Sequence, residues 1–362
     1  MTGPGDLGLP ELPGPDPAAG DPPAADAPPA PAVAPPGSAG EPASTRPGVR
    51  TFSLDGRQAA GLYLVGWLAS LLGAATMFVV LLAQPTDLAG AILLGVGTLL
   101  LTVGLAAGAG SQAIERQAAG RLRYRGPSPF ILFGANVAMT LFLDLLAIPV
   151  LQAAGVRSGT AVEALVGLLI LNASAILLVA TLVVGSGSLS WREMGWPVRT
   201  ARILPLAGLV RDLLEGMVLA VPVLFLTVGL GAVLIRILGS APPGPLPEAL
   251  SPGDAVLNLV SGVLIAPFGE ELFYRGFATT AWVRGMGPRA GILRGALLFA
   301  AAHVLTLSGT PSAALIAFVT RLPVALALGW IFVRRGSIVS SFGLHAMFNA
   351  IPLVIVGLSI QG

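Results

Sequence analysis

The feature that most constrains this chain is a succession of apolar runs, each roughly 18–27 residues long, separated by short connections. At about 1.5 Å of rise per residue, each run makes a helix able to cross about 30 Å of hydrocarbon. Only 10% of the 362 residues are charged and 54% are hydrophobic, too little charge to coat a soluble protein of this size. The expected fold class is therefore all-α, a polytopic transmembrane helix bundle of about nine spans. The expected spans are 58–83, 88–110, 130–154, 161–185, 212–238, 254–280, 291–307, 312–333 and 337–360.

Residues 1–50 differ in kind. Proline, alanine and glycine dominate there, with scattered acids (Asp6, Glu11, Asp16, Asp21, Asp26) and no periodicity. Such a segment cannot bury enough apolar surface to offset its ordering entropy, so a disordered N-terminal tail is expected. It also lacks the basic-then-apolar pattern of a secretory signal. The expected organisation is a disordered cytoplasmic tail over 1–50, N-terminal transmembrane helices with an interfacial segment over 51–204, and a C-terminal helical core over 205–362. The interfacial segment is the stretch around Trp191 and Trp196, too charged to span.

All twenty basic residues are arginine, and they gather in alternate connections. One set of loops holds Arg116, Arg121, Arg123 and Arg125, then Arg192, Arg199 and Arg202, then Arg284 and Arg289, then Arg334 and Arg335. The loops between them are nearly bare, as the positive-inside rule requires. This pattern predicts a multi-pass protein of the cell (inner) membrane, with the N-terminus cytoplasmic and the C-terminus outside. The formal net charge is only +2 and the arginines are dispersed, which argues against a nucleic-acid partner. The lipid bilayer is therefore an expected partner. Lysine is absent beside abundant glycine, alanine and proline, a composition that fits a GC-rich bacterial genome. The absence of cysteine excludes disulfides, thiolate metal sites and a cysteine nucleophile.

The chemistry concentrates in the last third. After Asp254 the only acids are Glu270 and Glu271, and the only two histidines of the chain are His303 and His345. All four fall inside expected spans, where ionisable groups are expensive and mark a functional site by default. Glu271 and Arg275 stand four apart and can pair along one helix face, which leaves Glu270, about 100° round, without a partner on its own helix. Pro267 lacks an N–H and should kink the span or free a carbonyl. His345 and Asn349 share a face four residues apart, so two donors can aim at one point. From the arginines that end their helices, His303 and His345 lie roughly 13–15 Å deep and Glu270 roughly 18 Å. The groups can meet. A carboxylate and an imidazole in a low-dielectric pocket can hold and deprotonate water, while a second imidazole and a carboxamide can stabilise an oxyanion. A Glu with two His (Glu270, His303, His345) is equally a ligand set for Zn2+ with one open position, and the residues alone leave both routes open.

Three motifs carry a family resemblance: Glu270-Glu271 with Arg275, Phe299 with His303, and His345 with Asn349. In this order they resemble the CAAX prenyl protease 2-like family, also called CPBP intramembrane metalloproteases, over roughly residues 205–362. The run Arg335-Gly336-Ser337-Ile338 ahead of His345 is similar to the family as well. The resemblance implies a membrane-embedded protease acting on a protein or peptide substrate within or at the membrane, with Glu270 as general base, His303 positioning the water, and a catalytic core over 205–362. It further implies His345 and Asn349 as oxyanion stabilisers, with Glu271 and Arg275 in support. Bacterial relatives of this family include scaffold and bacteriocin-immunity proteins, so a non-catalytic role is the alternative. A third reading takes Glu270 as the proton site of a transporter.

Overall fold

The computed structural model describes residues 53–361 apart from 86, 121, 198–205, 245 and 306–308. The expected tail over 1–50, together with Arg121, Arg199 and Arg202, lies outside the described residues. Among those described, the regular structure is helical throughout. Nine helices follow in chain order. They are α1 (Ala60–Ala83), α2 (Leu88–Ala119), α3 (Pro129–Ala153), α4 (Ala161–Val184), α5 (Leu206–Leu238), α6 (Pro252–Met286), α7 (Pro288–Leu305), α8 (Pro311–Arg335) and α9 (Ile338–Gln361). Eight of them are long and apolar enough to cross a membrane. The exception is α7, whose 18 residues include Arg289, Arg294 and several glycines and alanines, which leave it less apolar.

Helix starts and stops follow local chemistry. Ser251 and Thr310 accept from backbone N–H groups three residues on, at 3.1 and 3.2 Å, and so cap α6 and α8. Proline occupies the first turn after both caps, where its missing N–H costs nothing. Gly336, at φ 60°, ends α8 in the left-handed conformation that glycine adopts without strain.

Small residues bring the helices that matter together. A Cβ on Gly216 of α5 would collide with the Ser340 carbonyl of α9, and one on Gly343 of α9 with the Leu213 carbonyl of α5. The two backbones therefore touch, which fixes α9 against α5. Gly269 of α6 is pressed in the same way against Asn172 of α4.

Contacts also gather the arginine-bearing connections at one end. Arg284 pairs with Glu193 at 2.7 Å, joining the end of α6 to the α4–α5 connection. Arg335 pairs with Asp212 and Glu215 at 3.1 and 2.8 Å, joining the end of α8 to the start of α5. The Ile338 N–H donates to the Gly195 carbonyl at 3.0 Å, and Gln117 donates to the Ser186 carbonyl. At the opposite end the Ser240 and Thr310 hydroxyls meet at 3.0 Å. Trp191 and Trp196 pack edge to face, and Trp196 rests on Phe268 of α6, so both rings are partly buried in the protein.

Candidate active site

The site is built on an irregular helix. Two stretches of α6, Ser261–Ile265 and Glu271–Thr279, open into wide π-type turns with i→i+5 bonding. In the first, the Ala266 N–H reaches back to the Ser261 carbonyl. The next residue is Pro267, which has no N–H to offer the Gly262 carbonyl. Asn349 of α9 supplies the missing donor, its Nδ2 lying 2.8 Å from that oxygen. Proline thus frees a carbonyl, as its sequence position predicts, and the asparagine ties α9 to α6 at the level of the site. Asn172 of α4 donates in the same manner to the Ile265 carbonyl. In the second wide turn the Thr279 and Thr280 hydroxyls donate to the Tyr274 and Arg275 carbonyls at 2.8 and 3.3 Å.

Between these turns stand the two acids, with opposite surroundings. Glu271 is fully buried, and its Oε1 lies 3.2 Å from Arg275 Nη1 and 2.8 Å from His345 Nδ1. Arg275 is itself 2% exposed and lays its guanidinium 4.3 Å over the Phe299 ring. The pairing expected from the spacing of Glu271 and Arg275 is present, with His345 as a third member. Glu270 points the other way. Its Oε2 is 3.7 Å from His303 Nε2 and 3.7 Å from His345 Nε2, and has no hydrogen-bond partner among the described residues. Helices α6, α7 and α9 therefore bring one carboxylate and two imidazoles to a common point.

The hydrogen bonds settle the imidazole roles. His303 Nδ1 lies 2.8 Å from the Phe299 carbonyl, which can only accept, so Nδ1 carries a proton and Nε2 is the atom turned toward Glu270. His345 Nδ1 faces the Glu271 carboxylate, so it too carries a proton. Phe299 forms the wall between the rings, 4.4 Å from His303 and 5.7 Å from His345.

Imidazoles anchored through Nδ1, with Nε2 free beside a carboxylate, are chemically the donors that zinc takes. Yet among the described residues no group of three or more His, Cys, Asp or Glu side chains is disposed to hold a metal ion.

Arg321 of α8 is a charge inside an apolar run whose neighbour the sequence leaves open. The sequence admits a buried pair with Asp144, but no such ion pair forms among the described residues. Arg321 instead lies within electrostatic reach of Glu270 and His303, while its Nη1 donates to the Ala317 carbonyl of its own helix at 3.2 Å. The signal was present as a charge inside an apolar run, but its partner was not legible.

Residues 252–351 match the family described as type II CAAX prenyl endopeptidase Rce1-like. This part of the chain is similar to an Rce1-like domain, which supports the likeness to CAAX protease 2-like proteins. The matched stretch contains Glu270, Glu271, Arg275, His303, His345 and Asn349, and is narrower than the 205–362 over which the motifs suggested likeness. No curated protein and no solved structure matches the chain. The Rce1-like family is one of CAAX-type intramembrane proteases, and the apolar helices make this a multi-pass membrane protein.

Proposed function

We propose that the protein is an intramembrane endopeptidase that hydrolyses a peptide bond with water activated by Glu270. The observation that carries this reading is the approach of Glu270 Oε2 to both imidazole Nε2 atoms at 3.7 Å. That spacing is too long for a direct hydrogen bond, but one water can stand to the side and reach the carboxylate and His303 together. Glu270 takes a proton from that water as its oxygen attacks the substrate carbonyl carbon. His303 Nε2 accepts the second water hydrogen and fixes the direction of attack. His345, held in place by Glu271 through Nδ1, presents Nε2–H to the oxyanion. The remaining N–H of Asn349 is the second oxyanion donor. When the carbon–nitrogen bond breaks, Glu270 returns its proton to the leaving amine, giving a carboxylate and an amine.

Arg275 and Glu271 act from behind, holding His345 in orientation. The four arginine-bearing connections then face the cytoplasm under the positive-inside rule, which places the C-terminus outside. Since the chain has no cysteine, single-cysteine variants in each connection give a clean accessibility test of that orientation.

The experiment for the reaction compares membrane peptides from cells expressing the wild type and the Glu270→Gln variant. Loss of a general base lowers turnover about 10²–10⁴-fold, so uncut substrate should accumulate while protein abundance is unchanged. A scaffold or immunity factor would tolerate that substitution, and a variant indistinguishable from wild type would refute the hydrolase reading.

A further inference from the structure

A second polar assembly lies away from the catalytic groups, at the end of the bundle where the basic connections meet. A cavity of about 510 Å³ opens there between the connection after α2, the turn after α4 and the last turn of α6. Three arginines line it, Arg123, Arg125 and Arg284, against a single acid, Glu193. Arg284 is fourteen residues beyond Glu270 on α6, about 21 Å along a helix, so this cavity is distinct from the catalytic cluster.

The cation excess is not consumed locally. Glu193 engages Arg284 through Oε1 at 2.7 Å, and its Oε2 accepts from the Ser190 N–H and hydroxyl at 2.6 and 2.8 Å. Partial burial opposes ionisation of Glu193, but these bonds outweigh it and hold the carboxyl below the ordinary carboxylate range, so one negative charge is present at neutral pH. Arg125 donates from Nε and Nη2 to the Leu122 and Gly120 carbonyls, leaving Nη1 uncommitted. Arg123 has no hydrogen bond or ion pair among the described residues. Ser186 and Ser188 complete the wall, but their hydroxyls bond to each other and to the Leu182 carbonyl, so the arginines carry the recognition.

We propose that this cavity binds a phosphate group, presented by the headgroup of an anionic phospholipid. Planar guanidinium forks match phosphate oxygens, and arginine pockets between transmembrane helices at headgroup level take such groups. Leu122, 47% exposed, lines the same cavity and offers an apolar edge that an acyl chain can use and a free phosphate ion cannot.

Titration calorimetry of the full-length protein in neutral detergent tests this with three probes: dioctanoyl phosphatidylglycerol, dioctanoyl phosphatidylcholine and inorganic phosphate. Phosphatidylglycerol should bind saturably. Arg123→Gln should weaken it about fivefold, and Glu193→Gln, which removes the competing acid, should tighten it about fivefold. Both positions are exposed, and circular dichroism of each variant checks that the helices are retained. Competition by inorganic phosphate would make the soluble ion a ligand too, and binding of the lipid without such competition would identify the headgroup as the source. Equal binding of phosphatidylcholine, no saturable binding of phosphatidylglycerol or phosphate, or unchanged affinity in both variants would overturn the proposal, leaving the arginines as caps on neighbouring helix ends.

Discussion

Helices α1 and α8 are nearly equal in length and mean hydropathy, yet they live in different surroundings. Within their most apolar stretches, 11% of α1 is buried inside the protein and 50% of α8. Leu68, Leu71 and Leu72 of α1 are all about half exposed, whereas Leu328, Ile331 and Ala317 of α8 are buried. Apolarity alone therefore says that a segment belongs in a membrane, and not whether it faces lipid or protein. The discriminating feature is polar residues that an apolar run retains. Described α1 keeps no ionisable group apart from a tyrosine near its start, while α8 keeps Arg321 beside Glu270. Its neighbours α6, α7 and α9 hold the acids, the imidazoles and Asn349.

That contrast can be broken or sharpened by substitution. The largest effect is expected at His345, where alanine removes the oxyanion donor and the partner of Glu271. Turnover of a cleaved peptide should fall about 10²–10³-fold. Next comes Arg275→Ala, which leaves the Glu271 carboxylate buried and under-compensated. Thermal unfolding in detergent should report a loss of about 3–5 kcal/mol, the range for a broken buried ion pair. Asn349→Ala orphans the Gly262 carbonyl that Pro267 cannot serve, and should cost about 1–3 kcal/mol in the same assay. Leu71→Ala on α1 should change stability by less than about 0.5 kcal/mol and leave turnover untouched. A large loss at Leu71 would mean that α1 is packed against protein after all, and would erase the contrast.

Much of this was legible in the chain. The helices follow from the apolar runs, and the basic connections fall at one end because alternate loops carry the arginines. Glu270, His303 and His345 were identifiable as a group because they are ionisable residues in apolar surroundings at similar depth. The i, i+4 spacing of Glu271 and Arg275 anticipated their contact. Other features were hidden for physical reasons. The wide turns of α6 depend on bonding shifted by one residue, which no side-chain period reveals. The engagement of Asn349 with Gly262 needs two distant helices and a proline to coincide, so the spacing of His345 and Asn349 suggested only a shared face. Arg321 was visible as a buried charge, but the choice between Asp144 and Glu270 as its neighbour is a matter of helix packing. The seventh span is shorter in apolar length than its neighbours because Arg289 and Arg294 lie within the helix.

Isotope tracing on the purified protein addresses the chemistry most directly. A membrane peptide that accumulates uncut in cells expressing Glu270→Gln, incubated with the protein in water enriched in oxygen-18, serves as the probe. The account predicts a shortened peptide carrying one heavy oxygen in its new carboxyl group with wild type, and no such product with Glu270→Gln. Heavy-oxygen product at an undiminished rate from the Glu270→Gln protein would contradict it.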